Sequence, residues 1–254
     1  MDIIAQNGVY FLIAIVLMAG LLVWAYLTKR LQQDFNSITW TLIPVAIAIN
    51  IVIGQIVVVL KLPVYLDSIG TVLVAALCGP WAGALTGMFS NIIWGLAIDP
   101  NAFPWFPVAF FIGLVSGLMA NAGFFKSWWK VVVTGFVVAL TAAIVSTPIA
   151  VYLYGGITAS GSSFITAYLL QTGQGVLQAV FNTNFLVEPV DKITTAMLAF
   201  AIARGLSKRF LARFPRPENV EGEQGGSTQL IIAVAIVVVL VLFAAFMLRN
   251  LLGT

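Results

Sequence analysis

The sequence predicts an all-α integral membrane bundle of about eight crossings, and three observations carry that expectation. Of 254 residues, 61% are hydrophobic and only 8% are charged, whereas a soluble domain devotes roughly a quarter of its residues to charge. Uncharged runs of the roughly 20 residues needed to span a hydrocarbon core about 30 Å thick recur along the chain. Basic residues collect at alternate ends of those runs, as the positive-inside rule requires of a multi-pass protein.

Taken in order, the first uncharged run is Gly8 to Thr28, closed by Lys29-Arg30. Asp2 precedes it and nothing basic does, so it reads as a retained helix with the N-terminus outside. Thr41 to Leu60 is the second crossing. The uncharged stretch Ser68 to Ile98 is too long for one helix. Gly79-Pro80 divides it into a short helix, Ile69 to Cys78, and a full one, Pro80 to Ala97, because proline cannot donate an interior helical hydrogen bond. Trp105 to Asn121 and Val131 to Tyr154 follow, parted by Lys126 and Lys130. Beyond a Gly/Ser-rich loop, Gly155 to Ser163, the chain is semi-polar through Asn184. It then enters Leu186 to Ile202, whose end carries Arg204, Lys208, Arg209 and Arg213. Phe214 to Thr228, with two prolines, three glutamates and three glycines, reads as a solvated linker. Leu230 to Leu248 is the last crossing.

With the N-terminus outside, nine of the twelve basic residues (Lys29, Arg30, Lys126, Lys130, Arg204, Lys208, Arg209, Arg213, Arg216) fall on the inner side. Only Lys61, Lys192 and Arg249 fall outside. The outer side or outer half then gathers Tyr65, Asp67, Asp99, Trp105, Glu188 and Asp191.

Several chemistries are disfavoured at the outset. The chain has no histidine, which removes the commonest general base and metal ligand. Its single cysteine, Cys78, lies in an apolar run and reads as a packing residue. No Gly-rich phosphate loop with lysine is present, so nucleotide hydrolysis would need separate chains. The net charge of +3 is a topology signal and not a nucleic-acid one. The expectation is a protein that is not an enzyme and carries no cofactor.

Candidate functional residues are the polar ones at membrane depth, where each is costly. Asp67 could cap the helix that begins at Ile69 or contact a ligand. Glu188 and Asp191 flank Pro189 at an expected helix start, where acids favour the free amides, and Lys192 can pair with Glu188 at i,i+4. Gln171, Gln174, Gln178 and Asn182 follow helical spacing with Asn184 close behind. They read as a polar stripe on an amphipathic outer segment over a cavity, or as packing against polar neighbours. Trp94 and Trp105 are candidate stacking partners. Small residues at Gly79, Gly83, Gly87 and Gly95 share a stripe with Asn91, a smooth face for close helix packing. A second stripe, Ala46, Asn50 and Gly54, suits either packing within the fold or docking of a partner membrane subunit. Four outer acids beside two tryptophans hint at a cationic or heteroaromatic ligand.

Three segments together carry a resemblance: Lys61-Leu-Pro-Val-Tyr65-Leu-Asp67-Ser-Ile-Gly-Thr71, the turn Cys78-Gly-Pro-Trp-Ala-Gly83, and Glu188-Pro-Val-Asp-Lys192 leading into Arg204 to Arg209. In these, and in segment order from about Ser37 to Arg213, the chain resembles the substrate-binding S components of energy-coupling factor (ECF) vitamin transporters. The resemblance implies a six-helix S-component-like bundle at 37–213 in a prokaryotic plasma membrane. That bundle would capture a vitamin-like nutrient from outside, in its outer half, where Asp67, Asn91, Trp94 and Glu188 already stand. It implies partners too: a transmembrane coupling subunit and two cytoplasmic ATPase subunits. Residues 1–36 and 229–254 would each add one transmembrane helix outside the six-helix pattern, and 214–228 would be a cytoplasmic linker. The family's small-residue docking face on the first core helix has Asn50 at its middle position here. Two other classes fit the composition: a membrane sensory or signalling domain, which would need a separate output partner, and a stand-alone secondary transporter, for which no half-to-half repeat stands out.

Overall fold

The computed structural model describes residues 2–221, and every regular element among them is helical. The helices are α1 (Asp2–Leu27), a short α2 (Arg30–Gln33), α3 (Ser37–Val59), α4 (Ile69–Cys78), α5 (Pro80–Ala97), α6 (Phe106–Met119), α7 (Trp128–Tyr154), α8 (Ser163–Gln171), α9 (Val176–Gly205) and α10 (Lys208–Leu211). A 3-10 turn over Pro100–Trp105 leads into α6, and a π turn over Ala120–Phe124 leaves it. Three stretches are long and apolar enough to cross a membrane: Ser37–Val59, Pro100–Phe124 and Trp128–Tyr154. Phe11–Leu27 and Ile69–Cys78 are shorter apolar helices. This is the architecture of a helical membrane protein. The expected crossing Leu230 to Leu248 lies outside the described residues.

The short helix α4 sets the layout. All ten of its residues are buried, and it packs against α3, α5, α6 and α9. At 1.5 Å per residue it is about 15 Å long, half a hydrocarbon core. Its first turn meets the middle of α3, where Gly70 lies directly on the backbone of Ala46 and its N–H donates to Asn50 Oδ1 at 2.7 Å. Its last residue, Cys78, ends beside Asp34, at the start of α3. The helix therefore fills one half of the bundle. The incoming strand of chain, Lys61 to Ser68, descends into the other half.

Close backbone approach depends on the glycines expected to form a packing stripe. A Cβ on Gly83 would meet Ala75 of α4, one on Gly87 would meet the Ala109 carbonyl of α6, and one on Gly95 would lie 2.7 Å from the backbone of Phe103. Buried hydroxyls in these helices turn back to carbonyls one turn earlier, as Thr86 to Ala82, Ser90 to Thr86, Thr147 to Ala143 and Thr183 to Ala179, which satisfies these donors within their own helices.

The stripe Ala46, Asn50 and Gly54 is corrected as a docking face, because it faces inward. Ala46 and Asn50 are each 1% exposed, and a Cβ on Gly54 would sit 2.7 Å from the Trp94 ring. Asn50 donates to Thr71 Oγ1 and Ser90 Oγ at 2.8 and 3.0 Å, joining α3, α4 and α5. The stripe is a packing seam pinned by one amide.

The solvated linker is corrected over its first part. Phe214, Asn219 and Val220 are buried, and the chain from Arg213 to Val220 folds back beneath the α4–α5 turn. There Arg216 Nη2 donates to Asp34 Oδ1 at 2.8 Å and its backbone N–H donates to the Leu77 carbonyl. Asp34 Oδ2 accepts from the Trp81 N–H at 2.8 Å, capping α5. Gly79, at φ +117°, has no room for a Cβ beside the Asp34 carboxylate. Asn219 donates to the Ala76 carbonyl and to Asn121. The rest of the linker lies outside the described residues.

Candidate binding site

The opposite end of the bundle encloses a cavity of about 130 Å³. It lies above the N-terminus of α4, in the half of the bundle that α4 does not fill.

Four parts of the chain build its wall. The Lys61 to Ser68 segment supplies Tyr65 and Asp67. The end of α5 and the 3-10 turn supply Asn91, Trp94, Asp99 and Trp105. From α7 come Ser146 and Tyr154, and from the following loop Thr158, Ser160, Ser162 and Ser163. Helix α9 supplies Asn184, Glu188 and Lys192, one turn apart on one face.

The aromatic side is preorganised. Trp105 and Tyr154 stack with ring centroids 5.4 Å apart and planes 7° from parallel, and the Tyr154 hydroxyl donates to the Asn101 carbonyl at 2.8 Å. Trp94 Nε1 donates to Gln55 Oε1 at 2.9 Å. The polar floor is held as firmly: Asn184 donates to Ser146 and Thr147 at 3.1 and 3.0 Å, and Tyr65 shares a 3.0 Å hydrogen bond with Ser162.

The charged centre is Lys192, 3% exposed. Its ammonium lies 3.6 Å from Glu188 Oε2 and 3.8 Å from Asp67 Oδ1, and it is directly hydrogen-bonded to Asp191 Oδ2. It also stands 5.4 Å from the centre of the Tyr65 ring. Asp191 is wholly buried, and its other oxygen accepts the Tyr65 and Leu66 N–H groups, each at 2.7 Å. Leu66, at φ +51°, is the strained point that turns both amides toward it. Asp191 is therefore saturated and belongs to the wall's framework, behind the cavity surface.

Of the residues expected to bind ligand, Tyr65, Asp67, Asn91, Trp94, Asp99, Trp105 and Glu188 line the one cavity. Asp191 stands behind it. The amide stripe is corrected: Gln171 ends α8 and is exposed, Gln174 sits in the turn after Gly173 at φ +88°, and Asn182 donates to Gln174 at 3.0 Å. Those three and the exposed Gln178 lie outside the cavity. The expected helix start at Glu188 is also corrected, since α9 begins at Val176 after Gly175 and runs through Pro189. Nor does Asp67 cap α4. Ser68 occupies the cap position without a side-chain bond, Asn50 takes the Gly70 amide instead, and Asp67 accepts from Ser68 Oγ at 2.8 Å.

Sequence reasoning overlooked Lys192 as a site residue, the partner role of Tyr154, and the hydroxyl-rich loop. A signal existed for the loop: four Ser or Thr within Gly155 to Ser163 exceed what a flexible spacer needs. Among the described residues no group of three His, Cys, Asp or Glu side chains is placed to hold a metal, and the convergent carboxylates already surround the Lys192 ammonium. No protein-family model matches the chain, and no curated protein or solved structure matches it either.

Proposed function

We propose that this chain is a substrate-binding membrane subunit of the ECF S-component type, taking a small water-soluble nutrient from the outer face of a prokaryotic plasma membrane for ATP-driven uptake. The observation that carries the reading is the cavity: a polar and aromatic chamber within an otherwise apolar bundle, at the end away from most basic residues. Buried charge at membrane depth is retained where it serves a ligand or ion, and an aromatic-walled pocket with a few convergent polar groups is the common form of a small-molecule site. The resemblance in the Lys61 to Thr71 and Glu188 to Lys192 segments supports it.

On this reading the N-terminus is extracellular, the chain crosses about eight times, and it performs no catalysis. Energy comes from a transmembrane coupling subunit and two ATPases. The coupling subunit docks elsewhere than on Ala46, Asn50 and Gly54, which are enclosed.

The test is mass spectrometry of small molecules extracted from the purified protein, with co-purification from the native membrane. A stoichiometric small molecule and a co-purifying coupling module are the expected results. A chain that carries no ligand and never associates with such a module overturns the proposal.

A further inference from the structure

We infer that the cavity selects a small organic cation, an ammonium or amidinium group attached to a flat or aromatic body; this rests on the binding-subunit reading and specifies its substrate class. The charges facing the cavity are unequal. Asp67, Asp99 and Glu188 line it with a single cation, Lys192, and Asp191 adds a fourth carboxylate directly behind. Lys61, at the same end, is exposed and donates to the Ala159 carbonyl at 2.8 Å. Even a proton on Glu188 leaves negative charge in excess over Lys192.

That excess is also unsatisfied. Asp191 has both oxygens occupied, by two amides and by Lys192. Glu188 is 3% exposed and faces the cavity, yet its buried Oε2 has no hydrogen-bond donor. The Lys192 ammonium, directed to Asp191, stays 3.6 Å away from it. A buried carboxylate oxygen without a donor is expensive. A ligand N–H carrying positive charge supplies what is missing, as a charge-assisted bond. Asp67, with its side chain 25% exposed, offers a second acceptor at the same level.

The opposing wall suits the rest of such a molecule. The stacked Trp105 and Tyr154 pair and Trp94 line it, and aromatic rings attract cations and flat rings alike. An anion would meet three carboxylates, with a fourth behind them, and only one ammonium, already committed.

The experiment compares benzamidinium, benzamide and benzoate, equal in shape and differing in charge, by quenching of tryptophan fluorescence in the detergent-solubilised full chain. Benzamidinium is expected to bind at least about tenfold more tightly than the other two, a difference of about 1.4 kcal/mol. Glu188→Gln is expected to remove most of that preference, and Glu218→Gln, exposed in the tail at the opposite end of the bundle and outside the cavity, to keep it. Equal or tighter binding of benzoate, no binding of benzamidinium, or a preference unchanged in a folded Glu188→Gln overturns the inference. The charge series on the unmodified protein decides the matter even if the variant fails to fold. Failure to recruit a coupling module would overturn the transport reading and leave this preference standing.

Discussion

Each end of α3 meets a buried carboxylate, and the two are handled in opposite ways. At its start, Asp34 is wholly buried, yet its oxygens accept from the Trp81 amide and the Arg216 guanidinium. Beyond its far end, three carboxylates converge on one ammonium, and Glu188 Oε2 is left without a donor. Balanced charge at the first site locks a turn. Surplus charge at the second lies beside open space and, on the binding-subunit reading, awaits a ligand. Burial alone does not distinguish the two sites; the bonding of their buried oxygens does.

That contrast can be broken by measurement, beginning with the largest effect. Asp191→Ala removes the acceptor of two amides and the closest partner of Lys192, and breaking a buried pair costs about 3–5 kcal/mol; thermal unfolding in detergent should show it. Little loss would mean that Asp191 is no more structural than Glu188. Arg216→Ala leaves Asp34 buried and unpaired, for about 2–3 kcal/mol.

The second variant has a pH signature. Burial already holds the Asp34 carboxyl above the ordinary carboxylate range, against the downward pull of Arg216 and the Trp81 amide. With a raised folded-state value, the stability tied to this group is complete below the unfolded value and is lost as pH climbs through the folded one. Removing Arg216 raises that value further. The deficit of Arg216→Ala relative to the unaltered protein should therefore be large at neutral pH and shrink on acidification, as read from melting curves across pH. A pH-independent deficit would show that packing of the tail, not the ion pair, is what was lost.

Glu188→Gln is expected to change stability by less than about 1 kcal/mol, or to raise it, because it relieves surplus charge without removing a formed hydrogen bond. A loss as large as that of Asp191→Ala would erase the distinction between the two sites. Smallest of all, Gln178→Ala, on an exposed stretch of α9 outside the cavity, should stay within about 0.5 kcal/mol and leave ligand binding unaltered.

The apolar helices were legible because their signal is local. Gly79-Pro80 announced the break between α4 and α5, and seven of the proposed contact residues stand on one cavity because costly polar groups in apolar runs are conspicuous. What failed was long-range. Helical spacing joined Gln171 to Asn182, but the Gly173 turn divides them, and spacing carries no information about a positive φ. Ala46, Asn50 and Gly54 looked the same whether they met a partner chain or α4. Only the approach of Gly70, which α4 makes from outside the window, decides it. Phe214 to Val220 read as linker because its few apolar residues are interspersed with Pro, Arg and Glu. Its anchor, Asp34, is remote in sequence.

The Asp34 to Arg216 contact also orders events during synthesis. Its partners are 182 residues apart, a gap that a ribosome adding about 5–20 residues per second covers in roughly ten to forty seconds. Until then the Asp34 carboxylate has the Trp81 amide of α5 but not its guanidinium partner. Among the described residues this short tail closes last, and a chain truncated before Arg216 would carry every apolar helix from α1 to α9 yet lack that closure.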